Sequence, residues 1–156
     1  MLPIAPVGSR LWELSRAVHD NFAEQIGWPE LVATVAAVYA ALPTDERSKT
    51  AILAGNYGEA GAISAYGGAA GLPAATSGVN SYWARGYGDP PPRTLIVLGF
   101  RRDAVERLFE TRDLAGRVTN RYSLPNEETR DHPEFFVCRG PRQPWPALWP
   151  ELRRFA

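Results

Sequence analysis

The chain has 156 residues, of which 17 are basic, 17 are acidic and only one is a cysteine. A domain of this length buries roughly 70% of its extended-chain surface, so its folding requires neither a disulfide nor a structural metal. The balanced charge does not favour nucleic acid as a partner, and the longest apolar run, residues 31–42, is well short of the roughly 20 residues that a membrane-spanning helix needs.

The N-terminal part of the chain predicts a linker followed by two helices. Residues 1–9 contain prolines and lack the basic head and apolar centre of a signal peptide, so we expect an extended linker ahead of a single α/β domain over residues 10–156. Apolar residues recur every three or four positions from Leu11 to Ile26, which predicts an amphipathic helix. Pro29 suits the first turn of a second helix, and that helix should end before Pro43.

Three short apolar runs then predict core strands, at residues 51–54, 94–98 and 135–138. A capping pattern at Asp103–Glu106 predicts a short helix, and residues 117–122 favour a further strand. Because helices alternate with these runs, we predict an α/β fold with a mainly parallel sheet covered by helices on both faces, a three-layer arrangement that is Rossmann-like without a nucleotide fingerprint.

Proline and glycine dominate two other segments. Residues 86–92 should form a loop, and the prolines spaced over residues 141–150 predict an extended tail around Trp145 and Trp149. Cys138 lies inside the last predicted strand, where a buried, inert thiol is expected.

Two polar clusters follow predicted strands and are the candidate ligand contacts. The first, Gly55–Gly61, places Asn56, Tyr57 and Glu59 at the carboxyl end of a strand, where α/β proteins bind ligands. The second, Ser77–Trp83, holds the remaining candidates. These are Asn80, Ser81, Tyr82 and Trp83. Amide groups that bond sugar hydroxyls and aromatic rings that stack on sugar faces would make a glycan site, whereas a helix-capping role for Glu59 is the plainer interpretation.

Complete catalytic sets do not occur in the sequence. His19 and His132 have no cysteine or carboxylate at metal-ligand spacing, so we predict no metal site and no cofactor. The glycines of Gly55–Gly61 are spaced by three and three, which excludes the usual dinucleotide and phosphate loops. No catalytic residue is therefore assigned.

In the order of several short sequence blocks, the chain resembles a known family. This family is the soluble C-terminal region of bacterial membrane glycosyltransferases related to protein O-mannosyltransferases and to the aminoarabinose transferases that modify lipid A. The resemblance rests on five blocks. They are Ile26–Leu31, Gly55–Gly61, Gly71–Pro73, Ser77–Trp83, and the closing Cys138–Arg139 with Trp149–Pro150. The chain departs from the family pattern at Val79, where a histidine is common before the asparagine, and at residues 85–87.

The resemblance implies an extracytoplasmic accessory domain that aids acceptor recognition or positioning. The transmembrane helices of the parent protein would bind a polyprenyl-phosphate sugar and carry the catalysis, and a glycan or glycolipid would be the acceptor. The domain would lie at the extracytoplasmic face of the cell membrane, as a non-catalytic part of a mannosyltransferase-like hexosyltransferase.

Two alternatives stay open at this point. One is a free-standing carbohydrate or nucleotide-sugar binding module that uses Asn56 with Glu59 and Asn80 with Trp83. The other is a small hydrolase with Glu59 as general base, which requires this carboxyl to lie in a pocket with a raised pKa.

Overall fold

The computed structural model describes Pro6 and residues 8–18 and 26–155. Along the chain the elements are α1 (Arg10–Val18), α2 (Trp28–Ala41), α3 (Thr44–Arg47), β1 (Thr50–Ala54), α4 (Tyr57–Tyr66), a 3-10 turn (Gly68–Ala70), β2 (Ala75–Ser77), α5 (Asn80–Trp83), β3 (Thr94–Leu98), α6 (Arg102–Leu108), β4 (Phe109–Arg117), α7 (Glu127–Arg130), β5 (Glu134–Pro141) and α8 (Trp145–Glu151). Most of the predicted linker, the end of the first predicted helix and His19 lie outside the described residues.

The five strands form one mixed sheet in the order β2-β1-β3-β5-β4. Strand β1 is parallel to both β2 and β3, whereas β5 is antiparallel to both β3 and β4. The α/β class is confirmed, but the predicted mainly parallel sheet is not. Strand β5 is fully apolar at its centre, and such a run does not encode the direction in which the strand joins a sheet.

One cluster of core residues lies between the sheet and helices α2 and α4. Helix α2 begins after Gly27, whose φ of 102° turns the chain, and Pro29 occupies the first turn as predicted. Its residues Leu31 and Val35 are buried against Ile52 of β1, together with residues of α4 and β3. The second predicted helix, which ends before Pro43, is therefore confirmed.

A second cluster lies on the other residues of the same strands, where alternate side chains point to the opposite side of the sheet. Leu53 and Val97 pack there with Val105 of α6 and with Trp145 and Trp149 of α8. The predicted extended tail over residues 141–150 is wrong, because its second half is a helix.

Helix α8 tolerates its prolines because of where they stand. Pro144 precedes the first turn and Pro146 lies within it, where a missing N–H costs no helical hydrogen bond. Pro150 lies in the last turn. Burial of Trp145, Leu148 and Trp149 then stabilises the helix against the sheet.

Strand β4 corrects a further prediction. The expected strand over residues 117–122 is wrong, since the strand is Phe109–Arg117 and its exposed polar residues continue through Asp113. Its register with β5 is interrupted by an irregularity between Leu114 and Gly116. The short helix predicted from Asp103–Glu106 is confirmed as α6, but the predicted cap is wrong, because Arg101 precedes the helix and makes no side-chain cap.

The loop over residues 86–92 contains no helix or strand, as predicted. Within the described ranges, every helix is too short or too polar to cross a bilayer.

Candidate functional site

Two glycines bring the carboxyl ends of β1 and β3 into close contact. A Cβ atom on Gly55 would lie 2.1 Å from the carbonyl oxygen of Gly99, so only glycine fits at the end of β1. Gly99 has a φ of +71°, and a Cβ there would lie 2.1 Å from a carboxylate oxygen of Glu59. The two glycines thus allow both strands to close around one acidic side chain.

This junction is also the point where the order of the strands reverses. The chain passes from β1 through α4 to β2 on one side, and then returns across β1 to β3 on the other side. In α/β sheets, the crevice outside the carboxyl ends of the strands at such a reversal is the usual place for a ligand. The first predicted cluster lies at this edge of the sheet.

Asn56 and Glu59 form a reciprocal capping box at the start of α4. The Asn56 side-chain oxygen accepts from the backbone N–H of Glu59 at 2.7 Å. Glu59 Oε2 accepts from the backbone N–H groups of Gly55 and Asn56 at 3.0 and 3.3 Å. The capping interpretation of Glu59 is confirmed, and its physical basis is the pairing of N–H groups that the first helical turn leaves free.

Unlike a typical capping acid, Glu59 is fully buried, with 0% of its surface exposed. Burial raises the pKa of its carboxyl to about 8, and the negative charge of nearby Glu128 acts in the same direction, while the N–H donors of Asn56 and Gly55 oppose them. Glu59 Oε1 has no hydrogen-bond partner among the described residues. Glu59 is therefore protonated at neutral pH.

Asn56 connects this buried acid to a second one. Its Nδ2 group donates to Glu128 Oε1 at 3.4 Å, and Glu128 is only 5% exposed. Glu128 lies in helix α7, which begins at its own capping box on Asn126. No local pattern in the sequence marks Glu128 as a site residue, because 72 residues separate it from Asn56 and only the tertiary fold brings them together.

The second predicted cluster is held by the C-terminal segment. The Asn80 backbone N–H donates to the Arg154 carbonyl oxygen at 3.0 Å, and the Arg154 N–H donates to the Gly78 carbonyl oxygen at 2.9 Å. Asn80 has a φ of 51°, a left-handed conformation that asparagine adopts more readily than most residues. Arg154 also donates to the Gly55 carbonyl oxygen at 3.2 Å and thereby connects the two clusters.

The aromatic residues of this cluster face different parts of the molecule. Trp83 and Trp149 each donate their indole N–H to the other's carbonyl oxygen, at 3.2 and 3.1 Å. Tyr82 instead lies on the other side, with its hydroxyl 3.2 Å from that of Ser64 and the guanidinium of Arg85 over its ring. Trp83 therefore holds α5 to α8 as a packing residue.

The structure thus brings together some candidate residues and separates others. Asn56 and Glu59 contact each other, whereas Trp83 packs into the cluster beneath α8 and Tyr82 packs beside α4. Tyr57 is 58% exposed beside Asn56, and Ser81 is exposed as well. Ligand contact by any of these residues stays a prediction.

In comparisons with protein-family models, with curated proteins and with solved structures, the chain matches none. The function therefore has to be argued from the residues and their geometry.

The chemistry that this edge can perform is limited by burial. A general base must reach the proton that it removes, but Glu59 has no exposed surface and the Gly99 backbone covers its carboxylate. The raised pKa that the hydrolase hypothesis requires is present, and the accessible pocket is not. Among the described residues, no three His, Cys, Asp or Glu side chains are placed to share a metal ion.

Cys138 offers no reactive thiol. It is free and fully buried in β5, and burial raises the pKa of its thiol to about 12. The thiolate is the reactive form, so the prediction of a buried and inert cysteine is confirmed.

Proposed function

We propose that this chain is the extracytoplasmic accessory domain of a membrane glycosyltransferase and that it helps to recognise or position a glycan or glycolipid acceptor. The parent protein's transmembrane helices would carry the polyprenyl-phosphate sugar donor and the catalytic residues. The domain would lie at the extracytoplasmic face of the membrane. The five sequence blocks support the assignment to this family, and the geometry of two of them supports a role in acceptor recognition.

The carrying observation is that the two most informative blocks begin side by side. Ala54, directly before the Gly55–Gly61 block, is the register partner of Ser77, which opens the second block. Residues separated by more than 20 positions therefore lie side by side at the carboxyl ends of β1 and β2, next to the reversal of strand order between β1 and β3 where ligands usually bind. Because these two blocks, which contribute to the family resemblance, lie at this edge, we infer that the edge is a recognition surface.

The internal bonding of the polar side chains supports an accessory role over a catalytic one. Glu59 is buried in its capping box, and the indole of Trp83 is bonded to α8. These groups hold the edge in one shape. Tyr57, with 58% of its surface exposed, is an aromatic ring at this edge that a sugar can reach.

The family proposal is tested in the genome. The coding sequence upstream of Met1 should encode several apolar segments, each of about 20 residues. An upstream region without such segments would contradict the proposal.

The role is tested in the full-length protein, in membranes supplied with donor and acceptor. We expect Tyr57→Ala to raise the KM for the acceptor several-fold with little change in kcat, because a lost stacking contact of about 1 kcal/mol weakens binding without touching the chemistry. Tyr66→Ala is the matched control, since Tyr66 is 52% exposed at the other end of the same helix. Equal effects of the two substitutions would contradict a recognition role for this edge.

The exposed Tyr57 also favours the second candidate, a free-standing carbohydrate or nucleotide-sugar binding module. The isolated chain would then bind sugars directly, and tryptophan fluorescence would change on titration. Saturable binding that Tyr57→Ala abolishes, together with an upstream region free of apolar segments, would favour this candidate over the first.

A further inference from the structure

A second concave surface lies at the opposite end of β3, far along the strand from the candidate edge. It is a groove of about 810 Å³ between residues 90–94 and residues 139–145, which we call the proline groove. Thr94 at the start of β3 is the register partner of Arg139 in β5, so the two walls begin on neighbouring strands. The volume is within the range of sites for small ligands, roughly 300–1,000 Å³.

The groove is cationic although the chain as a whole is neutral. Arg93, Arg139 and Arg142 line it, and no aspartate or glutamate is among the described residues that do so. Arg139 is neutralised by Glu46 and by Asp113, whose Oδ2 accepts from Arg139 Nη1 at 2.8 Å. The lining arginines without a carboxylate partner are therefore Arg93 and Arg142, while Glu110 places one carboxylate beside Gly140 of the same groove.

Arg93 and Arg142 are exposed and have no carboxylate within 4 Å among the described residues. Arg142 Nε donates to the Glu106 carbonyl oxygen at 3.2 Å, which orients the guanidinium while leaving its charge unpaired. The next depression along Pro90–Arg93, of about 500 Å³, adds Lys49 and a single carboxylate, Asp89. Lys49 and Asp89 cancel, so this depression adds no net charge beyond that of Arg93, which it shares with the proline groove.

Both walls of the groove are held by contacts to the core. Trp145 Nε1 donates to the Pro92 carbonyl oxygen at 3.0 Å, and the ring of Tyr87 stacks on Trp145 with 5.0 Å between centroids. The Arg142 N–H donates to the Leu108 carbonyl oxygen at 2.9 Å. Proline rings further restrict the backbone, so little conformational entropy would be lost when a ligand binds.

We propose that the proline groove binds a phosphate ester, with Arg93 and Arg142 as the two cationic groups that hold its oxygens. A guanidinium presents a planar fork of N–H donors that matches a phosphate bidentately. Two unpaired arginines balance the double negative charge of a phosphate monoester. The remaining volume accepts the group that the phosphate carries. This site is separate from the acceptor-recognition edge and does not depend on that proposal.

The ester could be a free sugar phosphate or a lipid headgroup, and two measurements on the whole chain distinguish the sources. Titration calorimetry with glucose 1-phosphate and with inorganic phosphate tests soluble esters. Co-sedimentation with vesicles of phosphatidylcholine, with and without phosphatidylglycerol, tests lipid phosphates. Both should weaken as salt is added, because the attraction is ionic.

The decisive variant is Arg93→Gln with Arg142→Gln, which removes both charges at exposed positions and should leave the melting temperature unchanged. We expect each substitution to weaken binding roughly tenfold, since a charge-assisted hydrogen bond contributes on the order of one such factor. The matched control is Arg85→Gln, because Arg85 is also exposed, has no carboxylate within 4 Å among the described residues and lies at the other edge of the sheet.

Binding of glucose 1-phosphate that the double variant loses and Arg85→Gln keeps would support the site with a soluble ester. Binding that is confined to phosphatidylglycerol vesicles and follows the same pattern would support it with a lipid headgroup. Absence of binding in both measurements, or equal losses in the double variant and the control, would overturn the proposal.

Discussion

Replacement of Glu59 by glutamine should stabilise this protein at neutral pH. The substitution keeps the shape of the side chain, and the amide oxygen can still accept from the backbone N–H groups of Gly55 and Asn56, at the positions where Glu59 Oε2 now accepts at 3.0 and 3.3 Å. It removes the titrating group. The expected gain comes from the unfolded state, in which the glutamate ionises freely.

The magnitude follows from the raised pKa of Glu59, about 8 in the folded chain against an ordinary value of 4.5. Below the ordinary value, both folded and unfolded chains carry the proton, so the difference in stability between Glu59→Gln and the natural chain does not depend on pH. Between that value and about 8, the unfolded chain loses the proton and the folded chain keeps it. The natural chain therefore loses about 1.4 kcal/mol of stability per pH unit over this window.

From pH 4.5 to pH 7 the difference in unfolding free energy should shift by about 3 kcal/mol in favour of Glu59→Gln, and it should become constant above about pH 8. Urea denaturation of both proteins at several pH values from 4.5 to 8.5 measures it. Glu13→Gln is the control, because Glu13 is exposed on α1. The infrared band of a protonated carboxyl should also be present at pH 7 and absent from Glu59→Gln. A difference in unfolding free energy that does not widen between pH 4.5 and 8 would refute the conclusion that burial outweighs the N–H donors in setting the pKa of Glu59.

Three further predictions concern the packing around this edge. Gly99→Ala should cost more than about 2 kcal/mol of stability because its Cβ would lie 2.1 Å from a buried carboxylate oxygen, whereas Gly68→Ala, with nothing within 4 Å, should be neutral in the same urea denaturation. Trp149→Phe should cost about 1–3 kcal/mol and remove the donor to the Trp83 carbonyl oxygen; an unchanged melting temperature would contradict the structural importance of that bond. Cys138 should not react with a thiol reagent at pH 8 until the chain is denatured, and rapid labelling of the native protein would show that the thiol is accessible.

Local patterns in the sequence were sufficient to predict the positions of helix α2 and strand β3. Pro29 and the apolar stripe after it placed α2, and the continuous apolar run at Thr94–Leu98 placed β3 with the same bounds as the structure. In each case the physical cause lies within a few residues, in fixed backbone angles or in side-chain periodicity.

Other features could not be predicted, because their causes are distant in sequence. Strand β4 has the exposed polar residues of a loop and is a strand because β5 pairs with it. Helix α8 follows a proline-rich segment and is stabilised when its tryptophans are buried. Strand β5 runs antiparallel to its neighbours and so makes the sheet mixed, but its apolar sequence does not indicate this direction.

In the candidate site, too, some features have local causes in the sequence and others depend on distant residues. The position of Glu59 in the first turn of a predicted helix was sufficient to indicate a capping acid, since the free N–H groups that it would accept from lie within a few residues. The tertiary structure alone decided that Gly99 would close over this acid and that Glu128 would lie nearby. Burial and a second negative charge, both contributed by distant parts of the chain, convert an ordinary cap into a carboxyl that keeps its proton at neutral pH.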